Sequence, residues 1–182
     1  MSRLNTLPLW ALIAFAFVFS VAVRLIWVYQ FGGVESVYYD GMFMINTNDG
    51  YYFAEGARDL LRGEAGVLSP THTATAQFTA LVALLLPFSF ETIIFYMPTV
   101  LGSLVVVPIL LLGNHLNERG AAFIGALVAS IGVSYYNRTM SGYYDTDMLN
   151  IVFPMLLVWS LALALQTKAP KYLLITGLEI VA

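Results

Sequence analysis

This sequence predicts an all-α, polytopic membrane protein, and two observations lead to that fold class. Of its 182 residues, 59% are hydrophobic and only 10% are charged. Several apolar runs approach the roughly 20 residues that an α-helix needs to cross about 30 Å of hydrocarbon, so we expect the chain to lie in a lipid bilayer. Cysteine is absent, which excludes disulfide frameworks and thiolate zinc sites. The net charge of -3 argues against nucleic acid as a partner.

The apolar runs give the order of the membrane spans. We predict complete spans at about 7–31, 91–112, 121–136 and 149–166, and a partial span at 172–182. Trp10 and Trp27 lie near the two ends of the first run, where aromatic side chains suit the membrane interfaces. A cleaved signal peptide is the alternative for this run, because Ser20-Val21-Ala22 is a small-x-small triplet. The run stays apolar through Val28, which favours an uncleaved anchor.

Individual residues within these runs predict local features. Pro98 and Pro108 are expected to bend the second span, and Gly113 is expected to end it. Arg24 lies late in the first span, where its side chain is expected to snorkel to the interface or to meet an acid of the following loop. The third span has a small residue at every fourth position, a pattern that lets helix backbones approach closely: Ala121, Gly125 and Ala129.

Two polar segments, at about 32–90 and 137–148, are predicted to be outer loops. In the first of them, Asn48 or Asp49 is expected to cap a short helix that ends before Gly63, because a side-chain oxygen satisfies free N–H groups of the first turn. Apolar and charged residues of this helix fall on opposite faces. It is therefore predicted to be an amphipathic helix that lies on the membrane surface.

Basic residues predict the orientation of the spans. With the N-terminus in the cytoplasm, four basic residues fall inside and three outside, which is a weak bias: Arg3, Arg119, Lys168 and Lys171 against Arg58, Arg62 and Arg138. The same orientation puts Asp49, Asp145 and Asp147 on one outer face, periplasmic or luminal. The fifth run offers only roughly 16 Å of helix, so we expect the chain to be the N-terminal part of a longer protein.

Carboxylates in the outer loops form a pattern that predicts a divalent-metal site. Asp145-Thr146-Asp147 places two short acids in one turn, and Asp49 of the first loop offers a third. Hard cations such as Mg²⁺ and Mn²⁺ prefer carboxylate oxygens. The alternatives are structural: a loop aspartate that caps the helix beginning near Leu149, Asp49 as the cap of its own helix, and Arg138 as an interfacial anchor.

Several stretches resemble the catalytic subunit of oligosaccharyltransferase, above all the single-subunit bacterial enzyme of N-linked protein glycosylation. They are residues 137–148, residues 45–59 with Asn48-Asp49-Gly50-Tyr51-Tyr52, and the shorter pieces 87–91 and 134–138. The resemblance covers most of the chain between Asp40 and Met148. It implies a membrane domain of many helices in the class C glycosyltransferase arrangement, followed by a soluble periplasmic domain.

The same resemblance implies a reaction and a role for each candidate residue. The reaction is the inverting transfer of an oligosaccharide from a polyprenyl diphosphate to the asparagine amide of Asn-x-Ser/Thr in an acceptor polypeptide. Asp49 matches an acid that binds the metal and faces the acceptor amide, while Asp145 and Asp147 match the metal-binding pair. Arg138 matches the basic residue that helps to hold the acceptor carboxamide. We therefore expect Asp49, Arg138 and Asp147 to be catalytic, with Mg²⁺ or Mn²⁺, at the periplasmic face of a bacterial inner membrane.

This sequence also departs from the family pattern. The family's later acid has no counterpart, and its Trp-Trp-Asp motif is missing because Trp10, Trp27 and Trp159 are never adjacent. Since the C-terminal periplasmic domain is absent as well, we expect the chain by itself to be inactive. The alternatives are a polytopic transporter or ion-binding protein, and a non-catalytic membrane subunit. Acids that cluster in loops rather than inside spans favour an enzyme.

Overall fold

The computed structural model confirms the predicted fold class, because it is built mainly from α-helices. It describes residues 4, 6–64, 66 and 68–181, and residues 178–181 by their backbone alone. The chain divides into two compact units. Unit 1 consists of Met1–Val23, Leu101–Tyr136 and Leu149–Ala182, and unit 2 of Arg24–Val100 and Asn137–Met148. Arg3, which contributes to the predicted orientation, lies outside the described residues.

Nine helices and one small hairpin are defined within the described ranges. They are α1 (Leu9–Phe31), β1 (Tyr38–Tyr39), β2 (Met42–Phe43), α2 (Asn48–Arg62), α3 (Ala74–Leu85), α4 (Phe90–Ser103), α5 (Val106–His115), α6 (Arg119–Ile131), α7 (Val133–Asn137), α8 (Val152–Thr167) and α9 (Pro170–Val181). Two 3-10 turns, Glu35–Val37 and Thr146–Leu149, complete the set. The strands pair antiparallel, Tyr38 with Phe43 and Tyr39 with Met42.

Three helical segments of the described chain are long and apolar enough to cross a membrane. They are Leu9–Phe31, Phe90–His115 and Thr146–Thr167, with 23, 26 and 22 residues. The predicted span at 121–136 differs, since the 13 residues of α6 end at Ile131 and Gly132 separates them from α7. About 20 residues are needed to cross the hydrocarbon, so the length criterion is met at three of the four predicted complete spans.

Proline explains the break inside the second of these segments. Pro98 lies within α4 without interrupting it, whereas α4 and α5 are separated at Leu104 and Val105. Pro108 lacks an N–H group, and its ring would clash with the carbonyl four residues earlier, which is that of Leu104. The chain bridges this point with a three-residue hydrogen bond from the Val107 N–H to the Leu104 carbonyl, 2.9 Å long. The interruption at Leu104 and Val105 thus lies where Pro108 removes a helical hydrogen bond.

The core of unit 1 is formed by buried apolar side chains from α1, α5, α6 and α8. Its members are Leu12, Ala16, Val105, Val106, Leu110, Ala126 and Val152. Helix α5 packs on α6, and α8 packs on both α5 and α9. A buried hydrogen bond of 2.9 Å between Ser160 Oγ and Thr176 Oγ1 joins α8 to α9. Unit 1 is therefore built of helices that pack on one another around an apolar core.

Small residues do allow α5 and α6 to approach, but they are not the ones that the sequence predicts. A Cβ atom added to Gly113 would lie 2.0 Å from the Cβ atom of Ala122, so Gly113 is the contact point of the two helices and does not end α5. Gly125 has nothing within 4 Å of its Cβ position. The predicted stripe is off by one residue, because the packed face carries Ala122 and Ala126.

Substitution of Gly113 and Gly125 should show which of the two lies in the contact between α5 and α6. Gly113→Ala is expected to destabilise the chain by roughly 1–3 kcal/mol, as overpacking of a tight core does, because the new methyl group meets the Ala122 side chain. Gly125→Ala is the matched control and should leave the melting temperature unchanged or slightly raised. Thermal unfolding in detergent, followed by circular dichroism, measures both. A larger loss for Gly125→Ala would contradict the packing described here.

Unit 2 combines the hairpin with α2, α3 and the first part of α4. Asp40 and Gly41, both with positive φ (49° and 75°), make the tight turn between the strands, which suits Asp-Gly. Phe43 stacks on Tyr38 at 4.3 Å and on Phe95 at 4.6 Å between ring centroids. These rings hold the hairpin against α4, so the segment between α1 and α2 has a fixed hydrophobic anchor.

Helix α2 matches the predicted short helix at its C-terminus, but its N-terminus is capped differently. Gly63 ends it in the left-handed conformation with φ 71°. The N-cap residue is Thr47, so the prediction of Asn48 or Asp49 as the cap is wrong. Both residues lie in the first helical turn, where the positive end of the helix dipole favours the Asp49 carboxylate. The buried face of α2 packs on α3 through Ala57, Ala76 and Ala80.

Candidate active site

Residues 137–148, called the acidic loop below, are held to the rest of unit 2 by buried polar contacts. The Gly142 N–H donates to the Phe95 carbonyl at 2.8 Å, and its own carbonyl accepts from the Asn46 N–H at 2.9 Å. Gly142 has φ +84°, and an added Cβ would lie 2.9 Å from the Phe95 ring. Ser141 Oγ lies 2.8 Å from Thr99 Oγ1. The loop backbone is therefore tied to α4 and to the segment before α2.

A buried arginine of α1 provides another anchor of the acidic loop. The Arg24 side chain is 0% exposed. Its Nε donates to the carbonyl and to the hydroxyl of Thr139, both at 3.1 Å, and its Nη2 donates to the same hydroxyl at 2.8 Å. The prediction that Arg24 snorkels to the interface is wrong, because the guanidinium is fully buried and donates to both oxygens of Thr139 inside the protein. Such charge-assisted hydrogen bonds are stronger than neutral ones.

Tyr144 anchors the end of the loop that precedes the acids. It is 0% exposed, and its hydroxyl lies 2.5 Å from Thr79 Oγ1 of α3. Burial raises the pKa of the Tyr144 hydroxyl to about 12, against a smaller lowering by the Thr79 hydrogen bond. The hydroxyl is thus neutral at physiological pH. Tyr144 acts as a structural anchor for Asp145.

The charged residues of the acidic loop lie on its accessible side. Arg138 Nη1 and Asp147 Oδ2 form an ion pair of 2.5 Å, with side chains 61% and 18% exposed. The hydrogen bond to Asp147 and then its charge raise the pKa of Arg138 further above its usual value. Asp145 Oδ1 accepts from the Thr146 N–H at 2.6 Å, at the start of the 3-10 turn. Two of the four predicted site residues are therefore in direct contact.

The first turn of α2 brings Asp49 close to the same loop. Gly50, which follows Asp49, packs so tightly on the Tyr144 carbonyl that an added Cβ would lie 2.4 Å from its oxygen. Tyr144 in turn precedes Asp145, so the backbones that carry these two acids touch. The Asp49 side chain is exposed. The structure thus brings together the two segments that the sequence identifies, although they are about 95 residues apart in the chain.

The candidate site contains the kinds of side chain that a divalent cation needs. Carboxylates are the oxygen ligands that Mg²⁺ and Mn²⁺ prefer, so the types of residue suit the predicted metal. Among the residues that the structure describes, no three of His, Asp and Glu already form a metal-binding group. Asp147 is also engaged by Arg138. The assignment of Asp49, Asp145 and Asp147 as metal ligands therefore remains a prediction.

A cavity of about 380 Å³ borders the segment that carries Asp49. Its walls come from the hairpin, the start of α2 and α4, and consist of Tyr39, Asp40, Met42, Phe43, Met44, Ile45, Tyr51, Arg58, Glu91 and Ile94. Arg58 Nη2 pairs with Glu91 Oε1 at 3.1 Å. The guanidinium carbon also lies 4.9 Å from the centre of the Phe90 ring. This ion pair links α2 to α4 and so supports the position of Asp49.

Sequence reasoning missed the residues that hold the site in place. Arg24 and Thr139 have no local pattern in common, since 115 residues separate them. One signal was present, because an ionisable residue inside a spanning helix marks a functional position by default. For Thr79 and Tyr144 no comparable signal exists in the sequence.

Comparisons with known proteins add the family context. The family model described as oligosaccharyl transferase STT3, N-terminal, matches residues 1–182. A protein of Campylobacter jejuni subsp. jejuni serotype O:2, named undecaprenyl-diphosphooligosaccharide–protein glycotransferase, is 48% identical over 155 residues, which is 84% of this chain and 22% of that protein. The protein of the same name from Campylobacter jejuni strain RM1221 is 47% identical over the same lengths. The chain thus spans about a fifth of the length of these relatives.

Proposed function

Since the chain belongs to the oligosaccharyl transferase STT3 family, we propose that it supplies part of the active site of an oligosaccharyltransferase. The donor is an oligosaccharide on a polyprenyl diphosphate, and the acceptor is the asparagine amide of Asn-x-Ser/Thr in a polypeptide. The names of the two relatives support a lipid-diphosphate donor and a protein acceptor. The site faces the periplasm from a bacterial inner membrane.

The observation that carries this proposal is the joining of the two acid-bearing segments. The acidic loop presents Asp145 and the Arg138–Asp147 pair on its accessible side, and the packing of Gly50 on Tyr144 places Asp49 at the adjoining helix terminus. Buried contacts on the opposite side of the loop hold its backbone in place. Preorganised charges of this kind stabilise charge that develops in a transition state, because they need no rearrangement during the reaction.

The chemistry required of these residues follows from the reaction. The bond between the anomeric carbon and the diphosphate oxygen breaks and releases the polyprenyl diphosphate, while a bond from that carbon to the amide nitrogen forms on the opposite face. The proton that the amide loses passes to one of the carboxylates that accept its N–H hydrogen bonds. An amide nitrogen is a poor nucleophile, so Asp49 and Asp147 would accept its N–H hydrogen bonds and hold it in a reactive geometry. Arg138 holds the Asp147 carboxylate in place through their ion pair. A divalent cation held by Asp49, Asp145 and Asp147 would offset charge on the leaving diphosphate.

A chimaera tests the proposal, because a relative supplies the rest of the enzyme. The chain replaces the corresponding segment of the serotype O:2 Campylobacter jejuni relative, to which it is 48% identical. The purified chimaera is expected to transfer glycan from an undecaprenyl diphosphate donor to a fluorescent peptide with Asn-x-Thr, measured as a gel shift. The control is the relative with that segment deleted. A folded chimaera that is as inactive as the deletion would contradict the proposed function.

A further inference from the structure

Arg24 is a cation that the proposed chemistry does not use. It lies seven residues before the end of α1, which corresponds to roughly 10 Å along the helix, and its side chain is fully buried. Burying a guanidinium within a spanning helix is costly unless hydrogen bonds compensate for the lost water. Thr139 supplies such bonds with its carbonyl and hydroxyl oxygens. The structural question is what this contact achieves for the acidic loop.

The contact fixes the point from which Arg138 reaches its partner. Thr139 is 0% exposed, whereas the side chain of its neighbour Arg138 is 61% exposed. The two successive side chains therefore point to opposite sides of the backbone, one into the protein and one to the accessible side. Because Arg24 holds the backbone carbonyl as well as the side chain of Thr139, the backbone at this point has little freedom to rotate.

We propose that Arg24 is a positioning residue for the active site. Its guanidinium fork holds Thr139 and thereby sets the orientation of Arg138 and the Arg138–Asp147 ion pair. Its effect on transfer rests on the proposed function, whereas its effect on the loop does not. The planar fork is essential, since an arginine offers several donors in fixed directions and a lysine offers one compact ammonium group. Lysine at this position would keep the charge and lose the double contact.

A distance measurement on the loop tests the structural part. The natural absence of cysteine allows nitroxide labels on Thr146→Cys in the loop and Leu61→Cys in α2, both exposed in unit 2. In nanodiscs, electron–electron resonance should give a narrow distance distribution for the labelled chain. Arg24→Met and Thr139→Val should broaden it, and Thr139→Ser, which keeps both oxygens, should not. The control Ser160→Ala, which removes a buried hydrogen bond in unit 1, should leave it narrow.

Activity in the chimaera tests the consequence for catalysis. Arg24→Met is expected to lower kcat about tenfold, a typical cost of slight misplacement of reacting groups, with little change in the peptide KM. The kcat of Arg24→Lys should lie between those of the unsubstituted chimaera and Arg24→Met, and Thr139→Ser should retain activity. The melting temperatures of these variants should be similar to that of Ser160→Ala. A loss of activity at equal stability distinguishes a positioning role from general destabilisation.

Each outcome bears on one of the two proposals. A distribution that is broad in the unsubstituted chain, or that stays narrow in both Arg24→Met and Thr139→Val, overturns the positioning role. Full activity of Arg24→Lys overturns the requirement for the fork. If the unsubstituted chimaera transfers no glycan, the proposed function fails, and the distance measurement still decides whether Arg24 orders the loop.

Discussion

Replacement of Asp145 by alanine is expected to reduce glycan transfer by the chimaera at least about a hundredfold, the cost of losing one preorganised charge in an active site. Asp145 immediately precedes the 3-10 turn and follows the buried anchor Tyr144, so its carboxylate has a defined position. Alanine at Asp49 should give a loss of similar size, because this acid lies on the adjoining turn of α2. Initial rates of peptide glycosylation at saturating donor measure both effects.

The matched control for these substitutions is Asp59→Asn. Asp59 lies on the same helix as Asp49 and is an acid of the same type, but it is ten residues further along α2, away from the acidic loop. Its substitution should keep transfer within about twofold, as expected for a surface change remote from the chemistry. Unchanged activity of Asp49→Ala or Asp145→Ala would show that the carboxylate concerned is not needed for transfer.

The second large effect is expected from Gly50→Ala. The added methyl group would lie 2.4 Å from the Tyr144 carbonyl oxygen, 2.9 Å from Thr47 Cγ2 and 3.0 Å from Ile45 Cδ1. Backbone atoms cannot rotate away as the end of a side chain can. The first turn of α2 must therefore shift away from the acidic loop. That shift separates Asp49 from Asp145. A displacement of about 1 Å at a reacting group costs on the order of a hundredfold in rate.

Gly33→Ala provides the control for this substitution. Gly33 belongs to the same unit and is exposed, and its Cβ position has nothing within 4 Å. This variant should retain its activity and its melting temperature, whereas Gly50→Ala should also lose roughly 1–3 kcal/mol of stability. Thermal unfolding and transfer rates of the two variants, measured in parallel, give the comparison. Equal activity of Gly50→Ala and Gly33→Ala would show that the close contact between α2 and the loop has no role in transfer.

Much of the fold follows from the sequence, because long apolar runs and helix stop signals act locally. The first span and the end of α2 at Gly63 match their predictions within a few residues. The predictions were less accurate where packing decides. Small residues at every fourth position identify a face, but the helix partner determines which face is used, and α5 selects Ala122 rather than Gly125. The role of Gly113 likewise depends on contact with another helix.

The site could be predicted only at its accessible side. The family resemblance identifies Asp49, Arg138, Asp145 and Asp147 because they form recognisable motifs. The buried residues that support them belong to no motif, because the role of a buried hydroxyl or arginine depends on a partner elsewhere in the fold. The sequence therefore predicts that Arg24 snorkels to the interface or meets an acid of the following loop, although its side chain is fully buried.

The long separation between Arg24 and Thr139 also has a consequence for biosynthesis. At the usual 5–20 residues per second, a ribosome needs about 6 to 23 s to pass from one residue to the other. Throughout that interval α1 is already made, and its guanidinium has to be solvated by water or by the insertion machinery. The acidic loop can take its final shape only after α1, the first turn of α2, α3 and α4 are all in place. Its folding is thus a late event in the maturation of this part of the protein.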